Sequence, residues 1–583
     1  MTLMRWNVFI PALLISAALA VPQNMIGCGP MMEPHDYYAS FLSKEMIEDK
    51  GARPFFYTSL LDFYDDWSEE EAVSEVNENI VAEWQQYAGG KVSREDAAHL
   101  VYKANTAEVK QLITALKTPT TPLSPKLKSN SMAQALLKEK KAEALQYLLL
   151  AKTIEPFCTT PDQWSDAPPR DSLKINGYIS QANTGFSKTT DPFLKNRYAF
   201  LRVKLAFYNN RLKDCVGWYD ASFDNTNQTA VQPLAFSYKA GALFRMGKGA
   251  EAAYSFSRLF AKASPADKKK IFLGFLWSTD RCNPELIEKY TALAPNQQEK
   301  AYETALFGLF GEAWQLPILQ RTYALDPSCE LLPLLAIREM NKLEEKYLTP
   351  HIEKQEGSRP YYFSWYERDS ILPRDEHVLA CIASFEQMTK DARVPNRPLF
   401  ATGVAYLQYM RGDYAAARQA LAQASGMQSN AAVKDQQQLI GLLIQTSELK
   451  QLDAAAEQAL LPSLQWLQQK AIKDSRENDY RLFYRNYFSQ VLAPLYFRQG
   501  DFHKTALAYG MADKSGVPDT SSAHYSGSSI DYLHNDLNTA AIEKLYAYRN
   551  NPSPSAFEQF VIKNNGIRNE DVIDMMGTTH LRD

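Results

Sequence analysis

The sequence predicts an all-α protein of stacked antiparallel helical hairpins, an α-solenoid arranged in two blocks. Three observations predict it. Apolar residues recur at helical spacing along nearly the whole chain, and alternating runs of β-branched residues are scarce. A grammar of helix, glycine turn and second helix also recurs at several places. The 583 residues are 45% hydrophobic and 22% charged, which excludes a disordered chain, a collagen-like chain and a small disulfide scaffold. Lys and Arg number 63 against 67 Asp and Glu, a net charge of −4. Without a basic surplus to neutralise phosphates, nucleic acid is not an expected partner.

Residues 1–20 read as a signal peptide. One cation, Arg5, precedes the apolar stretch Val8–Ala20, and Ala18-Leu19-Ala20 fits a signal peptidase site. The stretch is too short to span a bilayer comfortably, so an exported, soluble-bodied protein is expected. Met25-Ile26-Gly27-Cys28 resembles a bacterial lipoprotein box, which would place a lipid on Cys28. Val21–Asn24 separate it from the apolar stretch, and the alternative is an ordinary cysteine just inside the mature terminus. Membrane attachment is expected only through that lipid. Cys158, Cys215, Cys282, Cys329 and Cys381 show no CxxC spacing and read as small buried apolar residues, with any pairing left open.

Residues 21–125 form an N-terminal helical region, with three or four helices between Asp36 and about Asn105. Phe56, Leu60, Phe63 and Trp67 make one apolar stripe, and Ser68 with Glu71 has the form of a capping box. A helix over Glu69–Tyr87 ends at Gly89-Gly90, and Ser93 opens the next. Thr118–Pro125 carries three prolines and reads as a linker. A helical block follows over residues 126–348, broken at Thr159–Asp171. An aromatic-rich connection covers 349–374, and a second helical block covers 375–583, with a polar loop at Ser515–Ser529. Lys268-Lys269-Lys270 and Asp65–Glu71 read as solvated helix ends. Asn569–Met576 reads as a helix after which Gly577 opens a further hairpin, so the chain is truncated or its last helix docks elsewhere.

The repeat grammar is clearest in Leu492-Ala493, Tyr496, Gly500-Asp501-Phe502, Tyr509 and Ala512. It returns in Ala405, Gly412-Asp413-Tyr414, Ala417 and Ala424, and in Phe236, Ala240, Gly247, Ala252, Phe256 and Pro265. Weaker copies lie at Cys215 to Tyr219 and at Ala144, Leu148, Ala151 and Pro156. These segments resemble tetratricopeptide repeats. Small residues let two helices approach, glycine ends the first helix in a left-handed conformation, and hairpins stack because one alone cannot bury its apolar face. The pattern is degenerate: Thr505 and Cys215 stand where it calls for alanine, and Cys215 to Ala252 spans 37 positions where the family repeats every 34 or so. The run Cys28-Gly29-Pro30, Asp36-Tyr37-Tyr38 and Pro54-Phe55-Phe56-Tyr57 resembles large secreted proteins of unknown role from Bacteroidota.

No catalytic motif is found. The eight histidines form no H-E-x-x-H or other close ligand pair, and no nucleophile elbow, phosphate loop or dinucleotide fingerprint occurs. Asp375-Glu376-His377 reads as the opening of a helix, where acids suit the positive end of the dipole. No catalytic residue, metal site or cofactor is predicted. The candidate ligand-binding residues are Tyr361, Tyr362, Phe363, Trp365 and Tyr366, between Pro360 and Pro373. Five rings in six positions suit either a platform for a sugar or peptide, or a plug between the two helical blocks.

The expected function is a non-enzymatic scaffold of the cell envelope, in the periplasm or at the cell surface, binding a protein or peptide partner. Two alternatives accompany it. One is a surface glycan-binding lipoprotein, since the chain is also similar to the polysaccharide-uptake binding lipoproteins of Bacteroidota. The weaker one is a hydrolase of envelope polymers.

Overall fold

The computed structural model describes residues 38–56, 76–89, 91–158, 171–223, 229–311, 313–360, 375–472, 479–514 and 529–582. Among these the regular elements are all helical, and successive helices pack as neighbouring antiparallel pairs. The fold is an all-α solenoid.

One turn builds it. In the hairpin of Arg397–Met410 with Tyr414–Ser425, Gly412 takes φ +76°. Asp413 N–H reaches back to Gln408 O at 3.1 Å, and Gly412 N–H to Tyr409 O at 2.9 Å. This pair of bonds is the Schellman motif, which satisfies carbonyls that a helix end otherwise leaves bare. Gly500 repeats it between Ala493–Arg498 and Phe502–Asp513, where Asp501 N–H bonds Tyr496 O at 3.0 Å. Gly247 repeats it between Gln232–Arg245 and Gly249–Lys262, with Lys248 N–H on Leu243 O at 3.0 Å.

The two weaker sequence copies make the same turn without glycine. Lys140, at φ 52°, precedes Lys141, whose N–H bonds Leu136 O at 2.9 Å. Asn210, at φ 58°, precedes Arg211, whose N–H bonds Ala206 O at 2.8 Å. The small residues that follow the turns, Ala252, Ala417, Thr505 and Cys215, are all fully buried where paired helices meet.

The buried apolar side chains fall into two clusters. One runs from Ile80 to Ala242. The other runs from Ala240 to Met575 and also takes in Ala39–Phe56. Val216 and Phe236 pack against both, at the helices Leu212–Ser222 and Gln232–Arg245. The first described residues of the chain are therefore packed into the distant part of the solenoid.

Three expectations change here. Residues 38–56 form no α-helix but irregular chain with two 3-10 turns, Lys44–Met46 and Lys50–Phe55, where three or four helices are expected from Asp36 to about Asn105. Helix-forming backbone bonds give way because side chains of other helices take this segment's N–H and C=O groups. Lys268 is buried, not solvated, because Asp49 of the segment lies over the helix Pro265–Ser278 and pairs with it. At the other end, Asn569–Arg582 is one helix that runs through Gly577, and Arg582 donates to His534 O and Leu537 O at 2.8 and 2.6 Å. Cys158, Cys215, Cys282, Cys329 and Cys381 are all buried, as small apolar residues would be.

Candidate functional site

Three stretches of helix surround the segment 38–44. The first is Leu332–Leu343, which passes through a π-helical turn, Glu344–Leu348, into Thr349–Glu353. In that turn Thr349 Oγ1 donates to Glu344 O, five residues back, at 2.7 Å. Such insertions change which side chains share a face. The second is Ala431–Ser447 and the third Asp479–Tyr487.

Their side chains bond the segment's backbone one residue after another. Ala39 N–H donates to Thr349 Oγ1 at 3.1 Å, and Phe41 N–H to Glu344 Oε1 at 2.7 Å. Asn486 Nδ2 donates to Ser40 O at 3.1 Å. The Gln436 amide bonds at both ends, donating to Phe41 O at 2.7 Å and accepting from Ser43 N–H at 2.9 Å. Asp479 Oδ2 accepts from Ser43 Oγ at 3.0 Å and from Lys44 N–H at 2.9 Å. Further along, Asn430 Nδ2 donates to Glu48 Oε1 at 2.9 Å.

Side chains complete the seat. Tyr38 OH donates to Asn341 Oδ1 at 2.7 Å, and Ser40 Oγ to Glu344 Oε2 at 2.8 Å. Phe41 is fully buried with its ring 6.4 Å from that of Phe483, and Leu42 is buried beside it. Phe55 meets Phe272 edge-on at 4.9 Å and Phe260 at 5.6 Å. Every polar atom taken out of water along this path needs such a partner, since an unpaired one costs about 1–3 kcal/mol.

Glu344 is the centre of the channel. It is fully buried, and its two oxygens accept from Phe41 N–H, Ser40 Oγ and Tyr406 OH. Burial pushes its carboxyl up to about 7, and the three donors only partly offset that. Burial also raises the Asp479 carboxyl, against the pull of Lys44 and the bonds from Ser43 and Lys44.

A second buried acid lies apart from the channel. Glu303, on the helix Gln297–Phe307, is fully buried, and among the described residues neither oxygen has a hydrogen-bond partner. Burial pushes it up to about 8, with Arg258 opposing. One turn earlier, Glu299 accepts from Tyr254 OH at 2.5 Å and faces a cleft of about 340 Å³ shared with Arg258, Asp326 and Glu330. Among the described residues no group of three or more His, Cys, Asp or Glu side chains is placed to hold a metal ion.

The candidate residues Tyr361, Tyr362, Phe363, Trp365 and Tyr366 lie outside the described residues, as do Cys28 and the signal peptide. The described ends of the aromatic stretch are both fixed. Arg359 N–H donates to Ser489 O at 3.1 Å, and its guanidinium pairs with Asp536 and lies over the Tyr509 and Tyr532 rings. On the far side, Asp375 opens the helix Asp375–Lys390 and accepts from Tyr347 OH at 2.5 Å.

Glu344, Gln436, Asp479 and Asn486 were not singled out in the sequence. Their partners lie 303 to 446 residues away, beyond the reach of any local pattern. The nearest signal is the run Leu331–Leu348, where Arg338, Glu339, Asn341, Lys342 and Glu344 interrupt a helix buried on every side. Comparison with known proteins gives no matching family model, no matching curated protein and no matching solved structure.

Proposed function

We propose that this chain is an exported, non-enzymatic scaffold of the cell envelope whose degenerate tetratricopeptide-type hairpins hold a protein or peptide partner. One observation carries the reading. The solenoid already encloses a stretch of polypeptide, residues 38–44, by bonds from helix side chains to its main chain. Stacked hairpins suit such a task, because many side chains on successive helices face one continuous groove. No helix among the described residues is long and apolar enough to cross a membrane.

In-cell crosslinking followed by mass spectrometry of the captured material tests the reading. The expected result is a protein prey whose crosslinks to the solenoid map to one contiguous stretch of that prey. Capture of nothing, where a control solenoid retrieves its partner, contradicts it. Sugar binding that falls when Trp365 or Tyr361 becomes alanine contradicts it in favour of a glycan-binding lipoprotein.

A further inference from the structure

Residues 38–44 are held as a ligand is held. Among the described residues they share no backbone–backbone bond with any other segment of the chain. Thr349, Glu344, Gln436, Asp479 and Asn486 instead bond their main-chain groups, and every peptide carries those groups. Side-chain selection runs along the segment, since every residue from Tyr38 to Ser43 is buried and so are Met46 and Ile47. Phe41 and Leu42 fill buried apolar space, and the Ser40 and Ser43 hydroxyls donate to Glu344 and Asp479.

The helices that form the seat also pack against one another. Arg397–Met410 contacts both Leu332–Leu343 and Ala431–Ser447, and Ala431–Ser447 contacts the π-turn Phe488–Leu492. The seat thus has a frame of its own.

We infer that this channel is a receptor site for an extended peptide and that residues 38–49 are its resident occupant, exchangeable for a partner peptide of the same chemistry. That chemistry is an extended main chain with a hydroxyl residue, an aromatic–leucine pair and a second hydroxyl residue. The inference rests on the peptide-partner reading and adds to it the site and the ligand.

The test uses the full chain with a protease site placed within residues 57–75, so that the segment is cut from the body while both remain in solution. A fluorescent synthetic peptide spanning residues 38–56, so that it carries Phe55 as the cut segment does, is added, and its anisotropy is followed. In the uncut chain the tethered segment competes at an effective concentration on the order of millimolar, so the cut chain takes up the label at least about 100-fold more tightly. N-methylation of the peptide at Phe41 and Ser43 deletes two N–H donors and leaves every side chain in place. It weakens uptake at least about tenfold. Glu344→Gln in the cut chain lowers the affinity while the circular dichroism stays unchanged.

Equal uptake by cut and uncut chains overturns the inference, and so does indifference to methylation. Collapse of the helical signal on cutting, with no uptake, overturns it as well, because a receptor persists without its occupant. These failures leave the crosslinking result standing, since prey caught elsewhere on the solenoid keeps the broader reading alive.

Discussion

Replacing Glu344 with leucine is expected to destabilise the protein by about 3 kcal/mol or more, seen as a lower denaturant midpoint for loss of helix. The size follows from what the carboxyl satisfies. Leucine leaves Phe41 N–H, Ser40 Oγ and Tyr406 OH buried without an acceptor. Each orphaned donor costs about 1–3 kcal/mol, while leucine recovers only the desolvation that the charged carboxylate had suffered. Glu344→Gln keeps one accepting oxygen and is expected to cost roughly half as much. Tyr406→Phe in the Glu344→Leu background costs less than in the parent, because the two side chains act as a pair. A loss below about 1 kcal/mol for the leucine variant contradicts the assignment of Glu344 as the channel's acceptor.

The second large effect is a loss of stability as pH rises from 6.5 to 8. Burial raises Glu303 to about 8 and Glu344 to about 7, both above the ordinary carboxyl value. An acid raised in the folded state binds its proton more tightly there than in the unfolded chain. Its contribution is therefore full below the unfolded value and is lost as pH climbs through the folded value. Lys342, lowered by burial to about 8, acts in the opposite sense but only toward the top of this window. His99 and His503, also lowered by burial, act in the opposite sense below it. The net expectation is a loss of about 2 kcal/mol across the window. Glu303→Met removes the larger share, because no described partner is orphaned by it. The variant is expected to be more stable than the parent at pH 8 and nearly equal to it at pH 5.5. A parent midpoint that rises from pH 6.5 to 8, or a variant as pH-sensitive as the parent, contradicts this.

The hairpins were legible wherever the turn used glycine. Gly247, Gly412 and Gly500 sit at the left-handed position that ends a helix, and each is flanked by the small and aromatic residues that paired helices need. Where Lys140 and Asn210 occupy that position, the same turn leaves only a faint trace. The segment 38–56 misled for a different reason. Tyr38, Phe41, Leu42 and Met46 are all buried, yet the chain carrying them is irregular up to Ser43 and then a 3-10 turn. Periodicity reports one buried face of a helix, and a strand of chain enclosed on all sides carries no such signal. The channel's polar residues were illegible because Glu344, Gln436 and Asn486 look like ordinary helix-surface residues until a segment some 300 or more positions away meets them. Lys268 is illegible on the same account, since the distant Asp49 pairs with it and helps take it out of water.

Residues 38–44 are enclosed and bonded along their main chain by the solenoid. Amide hydrogen exchange of the peptide covering Ala39 to Lys44 tests this enclosure most directly. The Phe41 and Ser43 amides are expected to exchange far more slowly than those of a free peptide, because both donate to buried acceptors. Exchange of these amides at the rate of a free peptide, with the buried helix Arg397–Met410 still protected, would contradict it.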